Sequence, residues 1–225
     1  MEVEAKPPSF VPMPQHALSF QPQGVEIVLW RVPNSGPWRD DLHKSYPERH
    51  LGNMGALRLR ELQATTEAMD ALLGHDAWHL THDPHGKPCL HCNGSTLASI
   101  GISHAQLGDD TWAAVARWND RQHLGGVDLA DIHDPRISRV APRVMGDEEL
   151  ERWQGQEAWA WAAKEAMFKG HGPSLDYRTE AVLTQKTTSP SGNQGELQGL
   201  VRGEAWIGQW ILVNSRLLLV WSCEP

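Results

Sequence analysis

An α+β fold follows from three observations on this 225-residue chain. Strand-like alternation dominates the stretch before Pro135, and a β-meander pattern fills the chain from Thr179 onward. Each half also carries one long segment of helical preference, Leu57–Leu73 in the first and Glu157–Lys169 in the second. The two halves therefore share an element order, although no sequence repeat is visible.

Residues 1–23 hold five prolines and little periodicity, and read as a tail or an extended strap. Gly24–Val32 alternates as a strand should, and Asn34–Gly55 reads as a loop. The first helix, Leu57–Leu73, has apolar residues at 57, 62, 68, 69, 72 and 73 and is stopped by Gly74. Short strands follow at Ala77–Thr81, Ala98–Ser103 and Thr111–Trp118, the last turning through Asn119-Asp120 into Gly125–Ala130. Helical signals then take over at Ile137–Val144 and Glu149–Gln154, with Gly146-Asp147-Glu148-Glu149 as a cap and acidic first turn. The long helix Glu157–Lys169 is expected to end at Gly170. The meander comprises Glu180–Gln185, Glu196–Arg202, Ala205–Val213 and Leu217–Trp221, with one turn at Ser189–Asn193.

Composition removes several function classes. The net charge of −8 gives no bulk electrostatic case for nucleic acid or an anionic membrane. No apolar run approaches the roughly 20 residues that a helical span requires. Three cysteines are an odd count with no signal peptide ahead of them, so a disulfide framework is not expected and a reducing cytoplasm is. Cys89 and Cys92 have C-x-x-C spacing but lack the further ligands or βα context of a zinc or redox site. The eleven tryptophans are expected mainly to fill the core.

The most informative stretch is Trp161-Ala162-Ala163-Lys164-Glu165-Ala166-Met167-Phe168-Lys169. On a helix, Trp161, Glu165 and Lys169 fall at i, i+4 and i+8 and share one face. Alone, the Glu165–Lys169 pair would be an ordinary solvated pair contributing about 0.2–0.5 kcal/mol. Three further blocks precede it: Gly86-Lys87-Pro88, Ile102-Ser103-His104 and Gly126-Val127-Asp128. In this order and spacing the four blocks resemble the 4′-phosphopantetheinyl transferases, in particular their larger single-chain branch. The resemblance covers the middle third to half of the chain and weakens toward both ends.

The resemblance implies two similar α+β lobes packed as a pseudo-dimer, here 24–122 and 123–225 after the tail, with coenzyme A in the cleft between them. It implies Mg²⁺-dependent transfer of the phosphopantetheine arm to a serine of an apo acyl, peptidyl or aryl carrier protein by a monomer, with release of adenosine 3′,5′-bisphosphate. Asp128 and Glu165 are the implied Mg²⁺ ligands, a donor set suited to a hard cation that keeps waters and phosphate oxygens. Many members carry a second acidic residue two positions after that aspartate; this chain has Ala130 there, and Asp131 falls on the opposite strand face. Glu165 and Lys169 are the expected catalytic pair, Lys169 countering charge on the phosphate. Arg58, Arg60, Lys87, Pro88, Ser103, His104 and Lys164 are expected to bind the coenzyme together with Lys169. A coenzyme- or carrier-binding protein without transfer, and a metal-dependent hydrolase of nucleotide pyrophosphates, would use much the same contacts.

Overall fold

The computed structural model describes residues 11–12, 17–22, 24–74, 77–84, 86–97, 100–119 and 125–223. Val11–Pro12 (β1), Ala17–Phe20 (β2) and Val25–Pro33 (β3) run antiparallel, Ala17 opposite Trp30 and Phe20 opposite Ile27. Part of the stretch read as a tail or strap is thus a sheet strand, anchored by the buried side chains of Ala17 and Phe20. A helical turn at Leu42–Ser45 (α1) leads into the long helix Ala56–Leu73 (α2), which stops at Gly74 with φ +70°. Only glycine adopts that conformation without steric cost.

Trp78–His82 (β4), Pro88–Cys92 (β5) and Ser95–Leu97 (β6) form a small antiparallel sheet. The sequence reading found only the first of these strands. The hairpin between β5 and β6 turns at Asn93-Gly94, both with positive φ (+50° and +77°), which is the two-residue turn that asparagine and glycine favour. Cys89 and Cys92 lie three apart on β5, so their side chains leave opposite faces, and Cys92 is buried against the core. Ile100–Leu107 (β7) and Asp110–Trp118 (β8) then complete a five-stranded sheet in the order β1-β2-β3-β8-β7, with α2 packed on β3 and β8. Residues Ala98 and Ser99 of the expected strand Ala98–Ser103, and Asp120 of the expected turn, lie outside the described residues.

Val127–Asp131 (β9) opens the second half. Pro135–Val144 (α3) is capped by Asp134, whose side chain accepts from the Arg136 amide at 2.9 Å, and Pro135 occupies the first helical position. Asp147–Arg152 (α4) and Glu157–His171 (α5) follow. The last helix runs through Gly170 and ends instead at Gly172, whose φ is +90°. Gly170 lies inside the helix, its amide nitrogen 3.0 Å from where a Cβ at residue 126 would sit. The meander Ala181–Lys186 (β10), Gln194–Val201 (β11), Glu204–Leu212 (β12) and Leu217–Ser222 (β13) closes a second five-stranded sheet, ordered β10-β11-β12-β13-β9. Helix α5 covers β13 and β9.

The protein is therefore α+β. In each sheet the strand made before the long helix (β3 or β9) pairs with the last strand made after it (β8 or β13). The two sheets meet where β7 and β8 lie against β9. A shared core fills this seam, drawing Ile27, Leu29 and Trp118 from one side and Val127, Leu219 and Trp221 from the other. No helix among the described residues is long and apolar enough to cross a membrane.

Candidate active site

Alternation along β9 divides its side chains between two tasks. Val127 and Leu129 fill the seam between the sheets, while Asp128 and Ala130 point to the side covered by α5. Helix α5 can lie this close because residue 126 is glycine. A Cβ there would sit 1.8 Å from the carbonyl oxygen of Ala166. On its side the helix is narrow: Ala162, Ala163 and Ala166 are fully buried. Trp161, Glu165 and Lys169, the three-residue face expected from the sequence, line a cleft of about 730 Å³ together with Asp128, Ser103 and His104.

At the centre, the buried Asp128 carboxylate accepts through Oδ1 from Lys169 Nζ at 2.6 Å and from Ser103 Oγ at 2.7 Å. Lys169 Nζ also donates to Ser103 Oγ at 2.9 Å and to the Val127 carbonyl at 3.2 Å. Ser103 Oγ accepts from the Leu129 amide at 3.1 Å. One serine hydroxyl thus joins β7, β9 and α5. Burial pushes the Asp128 carboxyl above its usual range, against the opposing pull of Lys169 and Ser103. Glu165 is raised too, first by burial and then by the Asp128 charge, while Lys169 and a hydrogen bond from Tyr177 oppose the rise. That bond runs from the Tyr177 hydroxyl to Glu165 Oε1 at 2.9 Å.

The other wall comes from the first half of the chain. His104 Nε2 lies 2.6 Å from Thr65 Oγ1, whose hydroxyl donates to the Glu61 carbonyl at 2.9 Å. With that proton committed, Thr65 accepts, and His104 is the neutral tautomer protonated on Nε2. Burial, reinforced by Arg58, Lys169 and Arg49, depresses the His104 pKa to about 3. Arg58 lines the cleft half-exposed and paired with Glu61 at 2.6 Å. Arg49 lies beside it and donates to His82 Nε2 at 2.8 Å. Burial and the two arginines lower the His82 pKa, so its ring nitrogen stays an acceptor.

Three side chains expected to contact the coenzyme do not line the cleft. Arg60 is buried and holds the 36–38 loop: it donates to the carbonyls of Pro37 and Gly36 and to Gln63, and stacks 3.6 Å from the centre of the Trp38 ring. It is not among the residues lining the cleft. The cause is its phase on α2, two residues from Arg58 and so on another face. Lys164 is fully buried, ion-paired with Glu149 Oε2 at 2.8 Å and donating to the carbonyls of Tyr177 and Ala181. Its side chain is therefore consumed by these contacts in the interior. From the Gly86-Lys87-Pro88 turn, Gly86 and Pro88 line the cleft, whereas Lys87 does not and contributes its amide to Asp83 Oδ1 at 2.8 Å. Ala130 does share the face of Asp128 and lines the cleft; Asp131 also borders it, with its carboxylate ion-paired with Arg216.

Arg49, Arg136 and Tyr177 were missed. Arg49 falls in a stretch without periodicity, Arg136 at a helix start, and Tyr177 in the loop after α5, so nothing in the local pattern marks them. Among the described residues there is no group of three or more His, Cys, Asp or Glu disposed around a metal. Asp128 and Glu165, two carboxylates sharing one cleft with the Lys169 ammonium, are of the donor type that suits a hard divalent cation taking its remaining oxygens from phosphate and water. Comparison with protein-family models and with curated proteins finds no match to this chain.

Proposed function

We propose that the protein transfers the 4′-phosphopantetheine arm of coenzyme A to a serine of an apo carrier protein, in a cleft between two similar α+β lobes packed as a pseudo-dimer. One observation carries the reading. Residues from three of the four sequence blocks, separated by 25 to 66 positions in the bonds that join them, converge on one hydrogen-bonded centre. Nothing in an ordinary helix-on-sheet core requires a lysine, an aspartate and a serine to meet at a seam, because burying such groups is costly unless they are paired.

In the proposed reaction the serine oxygen forms a bond to the pantetheine-side phosphorus, and the bond from that phosphorus to the bisphosphate leaving group breaks. The serine proton passes to Glu165, directly or through water. Glu165 lines the cleft and is the carboxylate there that takes the role of base. Lys169, held at the cleft by Asp128 and Ser103, faces the charge that grows on the leaving group. Arg58 and Arg49 give the opposite wall the positive charge that a bisphosphorylated nucleotide requires. Asp128 and Glu165 would hold Mg²⁺, which when bound neutralises pyrophosphate charge and orients the phosphorus for attack. The cleft volume lies within the roughly 300–1,000 Å³ usual for cofactor sites.

Binding of coenzyme without transfer is the second reading, favoured by the burial of Lys164 and Arg60, which leaves fewer cations for the phosphates than the sequence promised. Mass spectrometry of apo carriers incubated with coenzyme A, Mg²⁺ and the protein separates the readings. A mass gain equal to the arm that disappears in Glu165→Gln supports transfer. Bound coenzyme with no gain across a panel of acyl, peptidyl and aryl carriers overturns it.

A further inference from the structure

We infer that Tyr177 is a positioning residue for Glu165, its hydroxyl fixing one carboxylate oxygen so that the other is presented to a divalent cation. The inference rests on the proposed reading of Glu165 as a cation ligand. Three separate attachments deliver the hydroxyl. The ring stacks on Phe168 (centroids 5.1 Å apart, planes at 27°) and lies 6.5 Å from Trp161 at 19°, so the residues on either side of Glu165 along α5 hold the phenol. The Tyr177 carbonyl accepts from Lys164 Nζ at 2.7 Å, and Lys164 is itself locked by Glu149. The loop is braced by Asp176, whose Oδ1 accepts from the amides of Arg178 at 2.8 Å and Thr179 at 2.9 Å.

The chemical need is specific. Glu165 stands near the like charge of Asp128, in buried surroundings, on a side chain with three rotatable bonds. Without a donor, repulsion would turn the carboxylate away from Asp128 and dissolve the pair of oxygens that a cation needs. A phenol O–H on Oε1 at 2.9 Å opposes that rotation without adding charge. Partners that orient metal ligands in this way typically change metal affinity by about 10- to 100-fold when removed. The same arrangement gives Lys164 a task at a distance: it holds the main chain of the residue that holds Glu165.

The test uses the full chain without coenzyme and Mn²⁺ as the probe, with the free ion counted by its electron paramagnetic resonance signal. Tyr177→Phe retains the ring and its stack and removes only the hydroxyl. It should weaken Mn²⁺ binding about 10- to 100-fold. Glu165→Gln should weaken it at least as much, and the double variant should be no weaker than Glu165→Gln alone, because the hydroxyl acts only through that carboxylate. Parent-like affinity in Tyr177→Phe beside a weakened Glu165→Gln overturns the positioning role and leaves the proposed function standing. Additive losses also overturn it, since a merely structural tyrosine would act in either background. Parent-like affinity in Glu165→Gln removes the cation-ligand assignment, and the role of Tyr177 with it.

Discussion

Lys169 holds three acceptors at once, and this crowding says what its loss would do. Lys169→Ala leaves the buried Asp128 carboxylate without its cation and, in the proposed transfer, the growing phosphate charge without its counterion. Turnover should fall by about 10²- to 10³-fold, with a much smaller change in half-saturation by coenzyme A. Arg58→Ala, which removes a half-exposed ground-state contact, should show the reverse balance. Equal effects on both parameters in the two variants would remove the distinction. His104 supports a different prediction. Its folded pKa of about 3 lies below the ordinary 6.5, so the unfolded chain binds the extra proton first as the solution is acidified. The stability tied to this neutral ring is fully present above pH 6.5 and drains away as the pH falls from 6.5 toward 3. His104→Gln keeps a donor for Thr65 but cannot titrate, and should flatten that part of the stability profile in urea titrations at several pH values. An unchanged slope would mean that the ring is not held neutral.

The elements were largely legible because periodicity is a local signal. Both long helices and the four strands of the meander fall within a few residues of their expected bounds. What escaped was set by partners distant in sequence. Prolines concealed β2, which exists because β3 supplies its hydrogen bonds. The stop of α5 shifted from Gly170 to Gly172 because the positive φ that breaks the helix falls at the later glycine. The site divides in the same way: Glu165 and Lys169 were legible from helical spacing and Asp128 from the block that carries the resemblance, whereas the inward turn of Lys164 and Arg60 depends on Glu149 and on the 36–38 loop. Gly126 itself was legible only as one letter of a block. Its reason is the 1.8 Å between a would-be Cβ and the Ala166 carbonyl, a main-chain atom that cannot swing aside. Gly126→Ala should force α5 off β9, costing about 3 kcal/mol or more and dispersing Asp128 from Lys169. Chemical denaturation measures the loss; a change under 1 kcal/mol would show that helix and strand can part at little cost.

At the scale of the molecule, Trp118 crosses the seam. It ends β8 in the first sheet, its indole N–H donates to the Ser222 carbonyl at the end of the second at 3.1 Å, and its ring lies against Gly101, Gly125 and the core shared by both sheets. Trp118→Ala should cost about 3–5 kcal/mol by cavity formation, beyond the lost hydrogen bond. Because the cleft is lined from both sides of the seam, its walls should loosen together, and coenzyme affinity should fall although Trp118 does not line the cleft. Normal affinity in a destabilised Trp118→Ala protein would show that the cleft does not depend on this joint.

The position of β13 in its sheet has a consequence for biosynthesis. This strand, Leu217–Ser222, lies between β12 and β9, so β9 has no neighbour in its own sheet until residue 222 has been made. On the ribosome the first sheet can close once β8 has emerged, whereas Asp128 waits with one edge of its strand bare through the synthesis of almost a hundred further residues. At about 5–20 residues per second that wait lasts several seconds. A chain released early, by a premature stop before β13, would present an uncovered strand edge beside an apolar seam, a template for aggregation rather than a merely less stable fold.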